Sequence, residues 1–93
     1  MSVISLETFR LCNGATSEQF VARDEELLQW RYVHRPGLRR RTTARASNGT
    51  WLVETWWDSE QLATELEEAG PITSWRELIE DASYQQQIFT TLD

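Results

Sequence analysis

The chain has 93 residues, a formal net charge of −6, and nine basic residues that are all arginine. That acidic balance argues against a nucleic-acid partner, whose phosphates it would repel, and the length suits one domain spanning residues 1–93. Five Trp, three Phe and two Tyr supply large apolar area for so short a chain and exclude a disordered one. The single cysteine, Cys12, allows no internal disulfide and fits a reducing compartment. With neither a leader-like N-terminus nor a run of about 18 apolar residues, the expectation is a cytoplasmic protein without membrane association.

The first predicted element is a strand over Val3–Leu11, rich in β-branched and aromatic residues and closed by Asn13-Gly14. Alternation gives it one face of Val3, Ser5, Glu7 and Phe9 and another of Ile4, Leu6, Thr8 and Arg10. Thr16 and Gln19 match a capping box, with Ser17 a competing N-cap, so a helix begins here and runs to about Val33. Its inward stripe at helical spacing is Phe20, Val21, Asp24, Leu27, Leu28 and Arg31. Pro36-Gly37 ends it, because the residue before a proline is pushed out of the α region.

A β-hairpin follows, with arms Leu38–Ala46 and Thr50–Asp58 joined by Ser47-Asn48-Gly49. The second arm is dense in Trp, Val and Thr, which suit a pleated, half-buried surface. Asp58 or Ser59 caps a second helix with Leu62, Ala63 and Leu66 on one face, and Gly70-Pro71 interrupts it. Ser74 and Glu77 offer a further capping box for a short helix carrying Trp75, Leu78 and Ile79 inward. Glu65, Glu67 and Glu68 read as a solvated helix face, and Tyr84–Leu92 is the last strand. This order predicts an α+β, ferredoxin-like βαββαβ fold with a four-stranded antiparallel sheet.

Helices on one side of such a sheet leave its other face open. On the hairpin that face holds either Trp51, Val53, Thr55 and Trp57 or Leu52, Glu54 and Trp56. Both sets contain Trp, and an apolar face of this size calls for cover. A homodimer joined sheet face to sheet face is the simplest remedy. It would also let Glu7, Glu54 and the arginines of the first arm pair across subunits.

The element order, Pro36-Gly37-Leu38 between helix and second strand, and Trp57-Asp58-Ser59-Glu60 where the third strand meets the next helix resemble the antibiotic-biosynthesis-monooxygenase-like family of dimeric α/β barrels. The resemblance spans most of the chain. It implies a ligand pocket in each subunit between sheet and helices, with Trp57 at the position of the family's pocket tryptophan. Members include cofactor-independent oxygenases of aromatic polyketides and haem-degrading oxygenases. The latter use a first-strand asparagine, where this chain has Thr8, and a histidine after the tryptophan, where no residue from Ser59 to Asp93 is a histidine. Haem degradation is therefore not expected, and no cofactor is called for.

His34 is the only histidine. It lies at the predicted end of the first helix, where a cation suits the helix dipole. His34 and Cys12 make a poor metal set and a poor nucleophilic dyad, so no metal site is expected. Asp24 interrupts the apolar stripe of that helix and must find a partner or shift its pKa. Arg31, Arg10 or Arg41 can pair with it. It is then either a structural ion pair tying helix to sheet or a general base in the pocket. For a small planar aromatic ligand the expected arrangement is Trp57 stacking on the ring, with Thr8, Asp24 and Arg31 or Arg41 bonding its polar edge. Asp24 and Trp57 are thus the catalytic candidates, and Thr8, Trp57, Arg41 and Arg31 the ligand-binding ones. Two functions of different classes follow: a cofactor-independent monooxygenase on such a substrate, or a noncatalytic small-ligand-binding or assembly module. Arg39, Arg40 and Arg41 alternate across their strand and cannot form one anion patch.

Overall fold

A computed structural model describes residues 1–92. Thr16 opens the long helix through both halves of its capping box: Gln19 N–H donates to Thr16 Oγ1 at 3.1 Å and Thr16 N–H to Gln19 Oε1 at 2.9 Å. Around that helix, α1 (Ser17–His34), the chain lays down β1 (Val3–Phe9), β2 (Leu38–Arg45), β3 (Trp51–Trp57), α2 (Glu60–Thr64), α3 (Gly70–Arg76) and β4 (Gln85–Thr90). Arg35 N–H bonds back to Arg31 O at 2.7 Å, and Gly37 then turns the chain at φ +102°. A Cβ on Gly37 would collide with Leu62, so this glycine also lets α2 seat against the turn.

The strands form one antiparallel sheet in the order β2-β3-β1-β4, the ferredoxin-like arrangement predicted from the sequence. In the hairpin loop Gly49 N–H bonds Ala46 O at 3.0 Å, and Gly49 at φ +90° hands the chain back to β3. Register fixes the faces. Val3, Ser5, Glu7 and Phe9 of β1 lie beside Trp57, Thr55, Val53 and Trp51 of β3, and these eight residues are buried on the helix side. Ile4, Leu6, Thr8, Leu52, Glu54 and Trp56 occupy the other face, half-buried within the subunit. Glu7 therefore cannot belong to a pairing across open sheet faces, because the pleat turns it to the helices. Glu54 remains on the open face and accepts from Trp56 Nε1 at 2.7 Å.

Phe9, Phe20, Leu27, Trp51, Val53, Ile72, Trp75 and Ile79 form one core. Phe20 stacks obliquely on Trp51 at 4.6 Å, and Phe9 meets Trp75 edge-on at 5.5 Å. Each such side chain contributes about 1.5–3 kcal/mol through burial.

Several boundaries differ from the sequence reading. Val21 is 46% exposed, so the buried stripe of α1 narrows to Phe20, Asp24, Leu27 and Arg31. Ser59 caps α2 as expected, but α2 stops at Thr64 and Leu66 stands 74% exposed. Gly70-Pro71 does not interrupt a helix. It begins α3, since a proline in the first turn gives up an N–H that has no partner there anyway. Ser74 consequently lies inside α3 rather than capping it. Among the described residues no helix is long and apolar enough to cross a membrane.

Candidate functional site

The inner face of the sheet changes character along the strands. Ser5 and Thr55 are direct cross-strand partners, and Gln86 of β4 lies beside Glu7. Together they make a polar floor where a core would ordinarily be apolar. Gln86 Nε2 donates to Ser5 Oγ at 3.0 Å, and the Tyr84 hydroxyl donates to Glu7 Oε2. Glu7 Oε1 accepts no hydrogen bond among the described residues. Thr55 is 1% exposed, and its Oγ1 has no partner among them either. An unpartnered buried hydroxyl costs about 1–3 kcal/mol, so its presence needs a reason.

Above this floor lies a cavity of about 170 Å³, also bounded by Trp57, Arg31, Arg35, Arg76 and residues 63–67. A neighbouring cleft of about 310 Å³ shares Arg76, Tyr84 and Gln86 with it and extends the space past Ile79 and Asp81. Arg31 lies in the last turn of α1 and Arg35, four residues on, is its C-cap, and both guanidinium groups reach the Trp57 ring and Glu67. Arg35 lies over the Trp57 ring at 4.5 Å and Arg31 at 5.7 Å. Glu67 reaches down between the two arginines. It receives Arg31 Nη2 at 2.7 Å and Arg31 Nε at 3.1 Å, and it also pairs with Arg35 Nη1.

Two groups here have displaced acidities. Burial alone would push the Glu67 carboxyl up, but the hydrogen bond and charge of Arg31, with the charge of Arg35, outweigh it and hold the group below its ordinary value. Burial, then the charge of Glu7 and the bond to it, pushes the Tyr84 phenol up. Tyr84 thus stays a neutral donor to Glu7 near neutral pH.

Of the residues singled out from sequence, Trp57 and Arg31 line this cavity together. Asp24 and Arg41 meet elsewhere, between α1 and β2. Asp24 Oδ1 accepts from Arg41 Nη2 at 2.7 Å and Trp75 Nε1 at 2.9 Å, and Oδ2 accepts from Thr43 Oγ1 at 2.8 Å. That carboxylate ties helix, sheet and α3, and it does not border the cavity. Thr8 lies on the opposite face of the sheet, next to Gln85 and Gln87. The expectation that Thr8 shares one pocket with Trp57 is corrected by strand periodicity: even-numbered β1 residues face away from the helices. Trp57, expected to stack on a ligand, borders the cavity with Arg35 lying over its ring at 4.5 Å.

His34 sits at the exposed end of α1, stacked on Trp30 at 4.7 Å with Nδ1 3.0 Å from Trp30 O, outside the cavity lining. Sequence reasoning missed Glu7, Thr55 and Tyr84 as site residues, although Ser5 and Glu7 in one strand row with Val3 and Phe9 were a usable signal. It placed Glu67 in solvent. Nothing local marks Glu67, whose burial depends on α2 ending early.

No protein-family model and no curated protein matches the chain. Solved structures do. The cofactor-independent oxygenase SnoaB of Streptomyces nogalater superposes with a TM-score of 0.76 at 17% identity, covering 99% of this chain and 94% of SnoaB. Rv0793 of Mycobacterium tuberculosis gives 0.72 at 16% identity, covering 100% and 97%. A Caulobacter crescentus protein provisionally assigned as an antibiotic biosynthesis monooxygenase gives 0.78 at 10% identity, covering 99% and 91%. At such identities the likeness is one of fold: the chain has the ferredoxin-like fold of the antibiotic-biosynthesis-monooxygenase-like proteins.

Proposed function

We propose that this protein is a small-molecule-binding α/β barrel, working as a homodimer joined through its open sheet face, whose ligand is a hydroxylated aromatic held over the polar floor. The observation that carries this reading is the buried, unpartnered Thr55 hydroxyl beside a Glu7 carboxylate with one oxygen unused. A closed core has no use for the Thr55 hydroxyl left without a partner, whereas a guest hydroxyl can bond both it and the Glu7 carboxylate. The open face supports the dimer: Trp56, Leu52, Leu6 and Ile4 crowd together there, and Phe89 is 41% exposed.

The reaction this arrangement supports best is cofactor-independent monooxygenation. Glu7 takes the ligand's hydroxyl proton, while Tyr84, held neutral, keeps the carboxylate in place. The otherwise unpartnered Thr55 hydroxyl donates to the resulting anion. The electron-rich substrate then reduces dioxygen itself: a methylene carbon becomes a carbonyl as one oxygen atom enters and the other leaves as water. The second reading, a noncatalytic ligand-binding module, is favoured by the full engagement of Asp24 and by Arg35 over Trp57.

The test is a panel of phenols, including hydroxyanthrones that carry an activated ring methylene, read by tryptophan fluorescence, followed by dioxygen uptake with the methylene-bearing compounds that bind. Binding that Glu7→Gln weakens, with uptake that it abolishes, supports the oxygenase. Binding without uptake leaves the noncatalytic module, and no binding by any phenol removes both readings.

A further inference from the structure

Residues 65–69 join α2 to α3 without helix or strand, and the first three, 65–67, line the cavity as a strap. The backbone of residues 65–68 makes no hydrogen bond among the described residues, and Leu66 points to solvent. Two side chains fasten the strap: the exposed Glu65, 3.7 Å from Arg35 Nη2, and Glu67, which is seated between Arg31 and Arg35 with those three side chains at most 10% exposed. Of the two arginines beneath it, Arg35 is also held by the Trp57 ring and by Leu62 O, to which its Nη2 donates at 2.5 Å, whereas Arg31 makes its hydrogen bonds to Glu67 and lies over the Trp57 ring at 5.7 Å. Two guanidinium groups converging on one carboxylate make a carboxylate receptor.

We propose that Glu67 is the chain's own stand-in for a ligand carboxylate. On this reading, which rests on the cavity being a ligand site, the ligand is a hydroxylated aromatic acid. Its carboxylate takes the place of Glu67 on Arg31 and Arg35, its hydroxyl reaches the Thr55 and Glu7 floor, and the strap swings into solvent. Exchanging one carboxylate for another leaves no buried charge unpaired, which simple removal of Glu67 would do. The displaced glutamate needs only water. Thr55 Oγ1, buried and unpartnered, is the separate sign that the space below the arginines takes a polar guest.

The test uses the full chain, calorimetric titration, and two probes of one shape: 4-hydroxybenzoate and neutral 4-hydroxybenzamide. Wild type pays for opening the strap before it binds the acid. Glu67→Gln, whose neutral amide holds the arginines weakly, should therefore bind 4-hydroxybenzoate about tenfold more tightly than wild type. The benzamide, which binds on the floor beneath the closed strap and leaves the arginines to residue 67, should bind both proteins alike. Equal affinity of the acid for both proteins, or equal tightening of acid and amide, overturns the exchange. Benzamide binding in that case leaves the cavity standing as a ligand site, whereas no binding of either probe to either protein removes both proposals. Should Glu67→Gln not fold, Glu67→Ala is melted with and without acetate. Acetate should raise its melting temperature more than that of wild type and more than chloride at equal ionic strength does; an equal effect of the two salts overturns the proposal.

Discussion

The helix-facing side of the sheet is two surfaces in one. Toward the hairpin loop, Phe9, Trp51 and Val53 meet Phe20, Leu27, Ile72 and Trp75, and the interior closes without a guest. Toward the other end of the same strands, Ser5, Glu7 and Thr55 face arginines, a glutamate and open space. Pairing of β1 with β3 runs unbroken from Val3–Trp57 to Phe9–Trp51, while β2 shifts register once, between Leu38 and Arg40 beside Trp57 and Trp56 at the polar end. Along β1 and β3 the difference therefore lies in side chains. One half contributes stability, and the other gives some of it up to keep polar groups available.

That contrast predicts unequal responses to substitution. Phe20→Ala, in the apolar half, should cost about 3–5 kcal/mol in urea unfolding and leave phenol affinity unchanged wherever the protein stays folded. Asp24→Ala should cost about 3 kcal/mol, because it leaves the buried Arg41 charge without its carboxylate. It should not alter ligand binding, and a loss of binding at unchanged stability would return Asp24 to the site. Gly37→Ala should cost about 1–3 kcal/mol through its positive φ, with the end of the Leu62 side chain moving aside.

The polar half should also report itself through pH. Glu67 has a folded pKa below its ordinary 4.5. Its contribution is therefore fully present above that value and is lost as pH falls through the folded pKa. Melting temperatures followed into acid should drop, and Glu67→Gln should flatten that limb. Tyr84 has the opposite sign: its raised folded pKa gives a contribution present below its ordinary 10.0 and lost at higher pH. Tyr84→Phe should remove that alkaline loss.

Much of the scaffold was legible because local chemistry decided it. Thr16 and Gln19 set the start of α1, Gly49 set the hairpin, and element order gave the ferredoxin-like topology. The site was less legible, since β1 hides its inward side. Its outward row of Ile4, Leu6 and Thr8 is at least as apolar as the buried row of Val3, Ser5, Glu7 and Phe9. Composition alone could not say which row met the helices, and Thr8 enters as a pocket residue only through the family resemblance. Gly70-Pro71 was ambiguous for a related reason: the pair both stops and starts helices, and only tertiary packing of Trp75 chooses. Glu67 looked like part of a solvated acidic run because its partners lie 36 and 32 residues earlier, at Arg31 and Arg35.

The smallest change on this scale is the most direct probe. Thr55→Val keeps the shape of the side chain and removes the one floor hydroxyl that has no partner. Thermal melts of this variant with and without saturating 4-hydroxybenzamide give its stability and its binding together. A free protein at least as stable as wild type, with the probe-induced rise in melting temperature reduced, is the predicted result. A destabilised variant that retains the full rise would mean the hydroxyl serves the fold and not a guest.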